Sequence, residues 1–321
     1  MAANTRTLII GTRSSELALR QAHMVQAALE ARGIPSELKR YKTVGDKRLD
    51  EPLSAIGAKG LFTKELESDL ADGTVHLCVH SFKDLPTENP EGLEVVALLP
   101  REDPRDVLIV NPIVGATTLD ELPPGTRIGT SSLRRRAQLL AARPDVEVVE
   151  LRGNVPTRVR KVDEGHAHAA ILAAAGMRRL GIAQRITSYL DAPQWLPAAG
   201  QGAVALQIRS DDAETRALVA PLGDADTMID TAAERAFLGA LEGGCQVPIG
   251  ALTVHDGDTR VLHGFIADVK GVRALRGTIA IDSAHPADGG RRLAEELRTR
   301  GATEILETLR SAEKVPSPQP E

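Results

Sequence analysis

Aromatic residues are scarce in this sequence, making up only 2% of its 321 positions. The hydrophobic cores must therefore be built from Leu, Val, Ile and Ala, and the chain lacks the rings on which nucleic-acid bases stack. A basic excess is also missing, since the net charge is −5 and the pI is near 6.0. A duplex-binding domain normally carries such an excess, so we expect no nucleic-acid partner.

Long apolar runs are absent too. No stretch approaches the length of a bilayer-spanning helix, and the N-terminal run in MAANTRTLIIGTRSS is too short for a secretion signal. We therefore expect a cytoplasmic protein with no membrane partner. CxxC and HExxH patterns are missing, and His166 and His168 point away from each other on a helix, so the sequence predicts no metal site.

Cysteine is the other rare residue, with two in the whole chain, too few for a disulfide framework. Cys78, in VHLCVHS, fits as a small strand residue. Cys245 follows Gly243 and Gly244 in LEGGCQVPIG, directly after a segment with the apolar spacing of a helix. Because glycines remove side chains and free the backbone, we expect the Cys245 thiol to project from a loop.

Short β-branched runs alternate with Ala-, Leu- and Arg-rich segments over the first two thirds of the chain. This alternation predicts α/β sheets with crossover helices, one block from TLIIGT to VHLCVHS and another from DVLIV to AAILAAAGMRRLG. The remainder contains LTVH, TRVLHGFIADV and RALRGTIAI, followed by DGGRRLAEELRTRG. It predicts a small antiparallel sheet with helices, an α+β domain.

Three segments repeat one local plan, in which a strand is followed by a Gly/Thr/Ser turn and a helix with an early arginine. They are IIGTRSSELAL, RIGTSSLRRRAQLL and VVELRGNVPTRV. Turn N–H groups and helix N-termini favour anions, and guanidinium forks suit carboxylates or phosphates. Helix capping and solvated arginines explain any single turn equally well. Three such turns together predict that several carboxylates are held at once.

Consecutive arginines occur at positions 134 to 136. Because neighbouring positions spread around a helix, at least one of the three should face solvent. We expect Arg134 and Arg135 to belong to the site and Arg136 to lie outside it.

Lys83 and Asp84, in VHSFKDLP, follow a strand and precede a proline, at the strand end where open α/β sheets place ligands. Asp84 is a candidate for proton transfer or for stabilising a cation, although such an aspartate often only caps a turn. Lys59, in AIGAKGLFTKEL, is flanked by glycines. It is either part of a segment that closes over a ligand or an ordinary surface lysine.

Nine segments resemble, in order, those of the porphobilinogen deaminase family, also called hydroxymethylbilane synthase. They are GTRSSELAL, KGLF, HSFKDLP, REDPRDVL, GTSSLRRRAQL, LRGNVPTR, LAAAGMRRLG, LPAAGQGAV and LEGGCQVPIG. The resemblance runs from about residue 6 to at least residue 250. It implies a transferase that condenses four porphobilinogens with loss of ammonia on a covalent dipyrromethane primer. Hydrolysis then releases hydroxymethylbilane for tetrapyrrole (haem) biosynthesis.

The resemblance also implies roles for particular residues. Cys245 would carry the dipyrromethane cofactor through a thioether, and Asp84 would act first as acid or counter-ion and then as proton acceptor. Lys59 matches the family's mobile lid. Many relatives have a further lysine where this chain has Ala55, which leaves open any lid contact that depends on it. Cofactor and substrate side chains would be bound by Arg13, Ser15, Lys83, Thr130, Ser131, Ser132, Arg134, Arg135, Arg152, Asn154, Arg158 and Arg179, with Ser81 and Gln201 nearby.

For the fold, the resemblance implies two α/β domains like those of periplasmic binding proteins, joined by hinge strands, and a third, smaller α+β domain. We expect a discontinuous N-terminal domain (1–102 and 203–222), a central domain (103–202) and a C-terminal domain with the cysteine loop (223–321). GQGAVALQIR would be the strand that returns to the first domain. The family also favours a monomer.

Two other functions stay open at the level of the residues. A two-domain anion receptor would use the same fold and turns, and a thiol-dependent hydrolase would pair Cys245 with a distant histidine. A receptor binds reversibly and releases no ammonia, and a hydrolase keeps Cys245 free at rest. A deaminase would stay modified even after denaturation, because a thioether is covalent.

Overall fold

The computed structural model describes residues 6–42, 63–241 and 247–313. In chain order its strands are β1 (Leu8–Arg13), β2 (Ser36–Tyr41), β3 (Leu77–Ser81), β4 (Leu93–Leu98), β5 (Asp106–Val110), β6 (Arg127–Gly129), β7 (Glu147–Val149), β8 (Ala169–Ala173), β9 (Ser188–Leu190), β10 (Val204–Arg209), β11 (Ile249–Asp256), β12 (Thr259–Ala267) and β13 (Ala274–Ile281). Its α-helices are α1 (Glu16–Glu30), α2 (Lys64–Ala71), α3 (Leu133–Ala142), α4 (Val155–Asp163), α5 (Ala174–Arg179), α6 (Ala213–Val219), α7 (Ala225–Ala240), α8 (Pro286–Leu297) and α9 (Thr303–Glu313).

The first sheet has the strand order β2-β1-β3-β10-β4. Strands β1, β2 and β3 are parallel, whereas β10 runs antiparallel to both β3 and β4. Helix α1 packs on this sheet because Ala22, Val25 and Leu29 recur at three- and four-residue spacing and are all fully buried. Cys78 is also fully buried, in β3, and burial raises the pKa of its thiol. The prediction that Cys78 is a structural strand residue is confirmed.

The second sheet repeats the plan of the first, with the order β7-β6-β8-β5-β9. Strands β6, β7 and β8 are parallel, and β5 runs antiparallel to both β8 and β9. In each sheet the antiparallel strand is therefore the fourth in the order. β5 is buried along its whole length because the apolar side chains on its two faces pack in two separate hydrophobic cores.

The C-terminal part is a three-stranded antiparallel sheet, β11-β12-β13, covered by α7 and α8. Its core contains Phe237, Leu262 and Leu293, all fully buried. The two helices approach closely at Gly290, where a Cβ atom would lie only 2.2 Å from the carbonyl oxygen of Ala233. This α+β part and the two α/β sheets confirm the predicted fold class.

Two crossing segments, residues 99–105 and 191–203, join the first and second sheets. They are hydrogen-bonded to each other where the Glu102 N–H donates to the Gly202 carbonyl at 3.2 Å. Gly202 has a φ of +92°, and a Cβ there would lie 2.2 Å from the Glu102 oxygen. Only glycine fits this contact, so the crossing segments form one tightly packed junction.

Candidate active site

β1 and β3 run parallel and end side by side, which brings residues from both to one edge of the first sheet. A cavity of about 80 Å³ opens there, and Arg13, Ser15, Ser81 and Asp84 are among its lining residues. The Ser81 hydroxyl accepts a hydrogen bond at 2.8 Å from the amide of Gln21, which also lines the cavity. Four of the residues predicted for the site therefore meet in one cavity.

Asp84 ends a 3₁₀ turn (Phe82–Asp84) that other parts of the chain hold in place. The Phe82 N–H donates to the Ala203 carbonyl at 3.0 Å, and the Arg235 guanidinium lies 4.4 Å from the centre of the Phe82 ring. Arg235 also donates to the carbonyls of Phe82 and Leu85, at 3.3 and 3.2 Å. The turn thus presents an exposed carboxylate on an anchored backbone, which suits proton transfer to a ligand.

Lys83 lies on the same turn, and its Nζ donates to the Gln201 Oε1 at 3.0 Å. Burial lowers the pKa of Lys83 to about 8; the carboxylate of Asp84 opposes this shift, and the guanidinium of Arg135 adds to it. The Lys83 ammonium therefore loses its proton more easily than an ordinary lysine. It lies beside the Asp84 carboxylate and near the arginines of α3.

The turn between β6 and α3 contains Thr130, Ser131 and Ser132. The Ser132 Oγ accepts from the Arg135 N–H at 3.4 Å, the Thr130 Oγ1 accepts from the Ser132 N–H at 3.2 Å, and the Ser131 Oγ donates to the Leu151 carbonyl at 2.9 Å. These hydrogen bonds shape the turn and cap α3. Each of the three hydroxyls thus has a structural task within the protein.

Arg134 and Arg135 are buried, with 6% and 5% exposure, whereas Arg136 is exposed, as predicted. An Nη1 of Arg134 donates to the Oδ2 of Asp106 at 2.6 Å, and an Nη2 of Arg135 donates to the Oδ1 at 2.7 Å. Each guanidinium also donates to a backbone carbonyl, that of Leu196 or Ile171. The two arginines are thus fixed by one carboxylate.

Two buried guanidinium N–H groups have no hydrogen-bond partner among the described residues. They are the Nε atoms of Arg135 and Arg179. Arg179 is otherwise held by its Nη2, which donates to the Gly202 carbonyl at 2.6 Å. An unsatisfied buried donor is costly, so both sites favour a ligand oxygen.

The third turn leads into α4, which Asn154 caps by accepting the Thr157 N–H at 2.9 Å. Arg158 donates its Nε to the Gly153 carbonyl at 2.7 Å. Burial, together with the cations of Arg135 and Arg152, lowers the pKa of Arg158 to about 10. Crowded cations of this kind are stabilised by a bound anion.

Two residues of the predicted site, Lys59 and Cys245, lie outside the described residues, as does Ala55. The residues on either side of the Cys245 segment, Leu241 and Val247, pack in the C-terminal core. Arg152 lies next to Glu150, with 3.6 Å between Nε and Oε1.

Asp106 is the residue that sequence reasoning missed. It is fully buried, and it also accepts hydrogen bonds from the amide of Gln201 at 2.8 Å and the indole N–H of Trp195 at 2.9 Å. Although burial opposes the shift, the guanidiniums of Arg134 and Arg135 hold the pKa of Asp106 well below its usual range. The available signal was a charged residue at the head of the apolar run DVLIV.

Within residues 6–42, 63–241 and 247–313, no group of three or more His, Cys, Asp or Glu side chains is arranged to hold a metal ion. In the same ranges, no helix is both long enough and apolar enough to cross a membrane.

Comparisons with known proteins found two matching family models and several relatives. The family model "Porphobilinogen deaminase, dipyromethane cofactor binding domain" matches residues 8–217, and "Porphobilinogen deaminase, C-terminal domain" matches residues 228–299. A porphobilinogen deaminase of Syntrophobacter fumaroxidans is 49% identical over 306 residues, covering 95% of this chain and 98% of that protein. One of Trichlorobacter lovleyi is 50% identical over 306 residues, covering 95% and 97%. Among solved structures, the methionine-binding protein MetQ is 12% identical with a TM-score of 0.43, covering 71% of this chain and 94% of that one.

Proposed function

The chain belongs to the porphobilinogen deaminase family, and from that premise we propose which of its residues carry out the reaction. The reaction condenses four porphobilinogens head to tail with loss of ammonia and releases hydroxymethylbilane by hydrolysis, within tetrapyrrole biosynthesis. Dipyrromethane is the cofactor. The observation that carries the assignment is the meeting of Arg13, Ser15, Ser81 and Asp84 in one cavity at the edge of the first sheet.

The described residues fit a ligand with several carboxylates. Arg135 and Arg179 each keep a buried N–H without a partner in the part of the chain that the structure describes. Arg158 has its pKa lowered to about 10, first by burial and then by neighbouring cations, so an anion beside it would be bound favourably. When bound, the cofactor supplies the pyrrole carbon to which new units are joined.

We assign the covalent attachment to Cys245, through a thioether. The further contacts to cofactor and substrate are assigned to Arg13, Ser15, Lys59, Ser81, Lys83, Thr130, Ser131, Ser132, Arg134, Arg135, Arg152, Asn154, Arg158, Arg179 and Gln201. The described members of this set lie at the ends of β1 and β3, at the turns after β1, β3, β6 and β7, on α3, α4 and α5, and on the second crossing segment. Arg134 and Arg135 both donate to Asp106 and to a backbone carbonyl, but of these two only Arg135 keeps a buried N–H without a partner among the described residues.

Asp84 is the proposed catalytic residue. Its carboxylate stabilises the positive charge that develops as ammonia departs from porphobilinogen. It would then accept the proton that leaves the pyrrole carbon at which the new bond forms. Its place in the cavity that Arg13 and Ser15 also line supports this role, because those side chains would hold the substrate's carboxylates beside it.

We further propose the domain boundaries 1–102 with 203–222, 103–202, and 223–321. The pairing of β10 with β3 and β4 supports the return of the chain to the first domain, and the C-terminal family model begins at residue 228. We propose a cytoplasmic monomer that needs no metal ion. Light scattering on the purified protein tests the oligomeric state.

The test of the covalent assignment is the intact mass of the denatured protein, with peptide mapping of the Cys245 segment. We expect an excess of two condensed porphobilinogen units on that peptide. Cys245→Ser should lose the excess, and Cys78→Ser, which alters the buried strand cysteine, should keep it. A protein still unmodified after incubation with porphobilinogen would contradict the attachment to Cys245. Reversible binding of porphobilinogen without ammonia release would instead indicate an anion receptor.

A further inference from the structure

The Asp106 carboxylate accepts hydrogen bonds from two separate parts of the chain, α3 and the second crossing segment. Two of the donors are the guanidiniums of Arg134 and Arg135 on α3, at 2.6 and 2.7 Å. The others are the indole N–H of Trp195, at 2.9 Å, and the side-chain amide of Gln201, at 2.8 Å. Both carboxylate oxygens are thus satisfied by two donors each. A buried carboxylate with this many partners fixes the orientation of every one of them.

Gln201 extends this arrangement to the first sheet. Its Nε2 donates to Asp106 on β5, and its Oε1 accepts the ammonium of Lys83 on the turn after β3, at 3.0 Å. The amide of Gln201 can only satisfy both neighbours in this orientation, since Lys83 offers donors and the carboxylate offers acceptors. A chain of hydrogen bonds therefore links the cations of the second sheet to a cation beside Asp84.

We propose that Asp106 is a positioning residue, which holds the Arg134–Arg135 pair and, through Gln201, the Lys83 ammonium in one arrangement facing the bound pyrrole carboxylates. This proposal rests on the proposed function. Asp106 touches no ligand in this role. Without it, the cations on the two sides would have no common anchor.

The charges that face Lys83 make the proposal testable. Asp84 lies on the same turn, Asp106 on β5, and Arg134 and Arg135 on α3. Among these, the carboxylates raise the pKa of Lys83 and the guanidiniums lower it. Asp106→Asn removes one negative charge and leaves the arginines, so it should lower the pKa of Lys83 below its present value of about 8.

The first experiment follows Lys83 directly, by NMR titration of the cofactor-loaded protein with ¹³Cε-labelled lysine, assigned by the signal lost in Lys83→Met. We expect a lower pKa in Asp106→Asn than in the unchanged protein. Glu234→Gln is the matched control, because Glu234 is equally buried and paired with Arg101 but lies outside the proposed contacts. It should leave the Lys83 titration unchanged. Equal Lys83 titrations in Asp106→Asn and the unchanged protein would overturn the proposal.

The kinetic counterpart is the pH profile of kcat/KM for porphobilinogen. Since the ammonium of Lys83 is the form that binds a carboxylate, the alkaline limb should move to lower pH in Asp106→Asn and stay in place in Glu234→Gln. KM should rise about tenfold or more, as for a lost hydrogen bond to a charged group. If the unchanged protein made no hydroxymethylbilane, the proposed function would fail, and the Lys83 titration would still decide the role of Asp106.

A second variant covers the case in which Asp106→Asn does not fold. Gln201→Leu keeps the carboxylate and its arginine pairs but breaks the link to Lys83. We expect KM to rise about tenfold with kcat within about twofold, because a positioning contact to a bound carboxylate is lost. An unchanged KM in Gln201→Leu would contradict the link between the two sheets.

Discussion

Asp106 and Glu234 are both fully buried and both paired with arginine, but the charges around them differ. Glu234 forms a two-pronged pair with the single guanidinium of Arg101, at 2.7 and 2.9 Å, and accepts the backbone N–H groups of Gly200 and Thr253. The charges at Glu234 cancel. Asp106 instead faces two guanidiniums, so one positive charge is left over.

The carboxylates of Asp106 and Glu234 accept the same number of hydrogen bonds, so hydrogen bonding alone does not distinguish the two positions. Glu234, on α7, joins the crossing segments to the C-terminal sheet, and its balanced charge needs no further ligand. Asp106 lies where the carboxylates of the proposed ligand are expected. Because it neutralises only one of its two arginines, one positive charge remains to bind them. A surplus of buried charge thus distinguishes a site prepared for a ligand from a junction that is complete in itself.

A third carboxylate, Asp84, extends the comparison and gives the largest predicted effect. It is exposed in the cavity, whereas the other two are enclosed. Asp84→Asn should lower kcat about 10²- to 10⁴-fold, as for loss of a general acid or base, with little change in the free energy of unfolding. Steady-state release of ammonia at saturating porphobilinogen measures kcat, and urea unfolding measures the free energy of unfolding. A normal turnover rate would remove Asp84 from the mechanism.

The Arg101–Glu234 pair, whose charges cancel, should contribute mainly to the stability of the fold. Arg101→Met leaves the Glu234 carboxylate buried without its cation, which should reduce the free energy of unfolding by about 3 to 5 kcal/mol. Urea unfolding of the purified variant measures this. A loss below about 1 kcal/mol would show that the backbone N–H groups suffice to hold the carboxylate.

The matched substitution beside Asp106, Arg134→Met, should reduce the free energy of unfolding by a smaller amount. After Arg134→Met, Asp106 keeps Arg135, Trp195 and Gln201, and the Leu196 carbonyl keeps the amide of Gln138 at 2.9 Å. We expect a stability loss of about 1 to 3 kcal/mol by the same urea assay. A loss equal to that of Arg101→Met would break the distinction between surplus and balanced charge.

The last predicted effect is on the pH dependence of stability. Lys83 has its folded-state pKa lowered to about 8, chiefly by burial, so above that pH the unfolded chain binds this proton and the folded chain does not. Its contribution to stability therefore rises with pH from about 8 to the ordinary lysine pKa of about 10.4. Lys83→Met should remove this rise from the difference between urea unfolding curves at pH 8 and 10. Parallel pH dependence in both proteins would contradict the lowered pKa.

Local sequence patterns predicted what depends on local structure. The ends of β1 and β3, the cap at Ser15 and the turn at Lys83 and Asp84 follow from strand, turn and helix signals a few residues apart. The fold class could be predicted for the same reason, because the order of strand-like and helix-like segments distinguishes α/β from α+β parts. The sheets of the structure confirm it. The assignments of individual ligand contacts and of the domain boundaries stay predictions.

The Asp106 arrangement could not be predicted in this way. Its partners lie 28, 29, 89 and 95 positions further along the chain, and only the folded second sheet and the crossing segment bring them together. Spacing rules cover contacts within one helix or hairpin and give no information at such separations. The pairing of Arg134 and Arg135 with Asp106 was missed for the same reason.

The place of β10 in the first sheet has a consequence for synthesis of the chain. β10 lies between β3 and β4, yet it begins at residue 204, after every strand of the second sheet has been made. As the chain leaves the ribosome, β5 to β9 can pair completely while β3 and β4 each still present an open edge. The central unit can therefore finish its sheet first, and the earlier strands wait, exposed to wrong pairings, until residues 204–209 emerge.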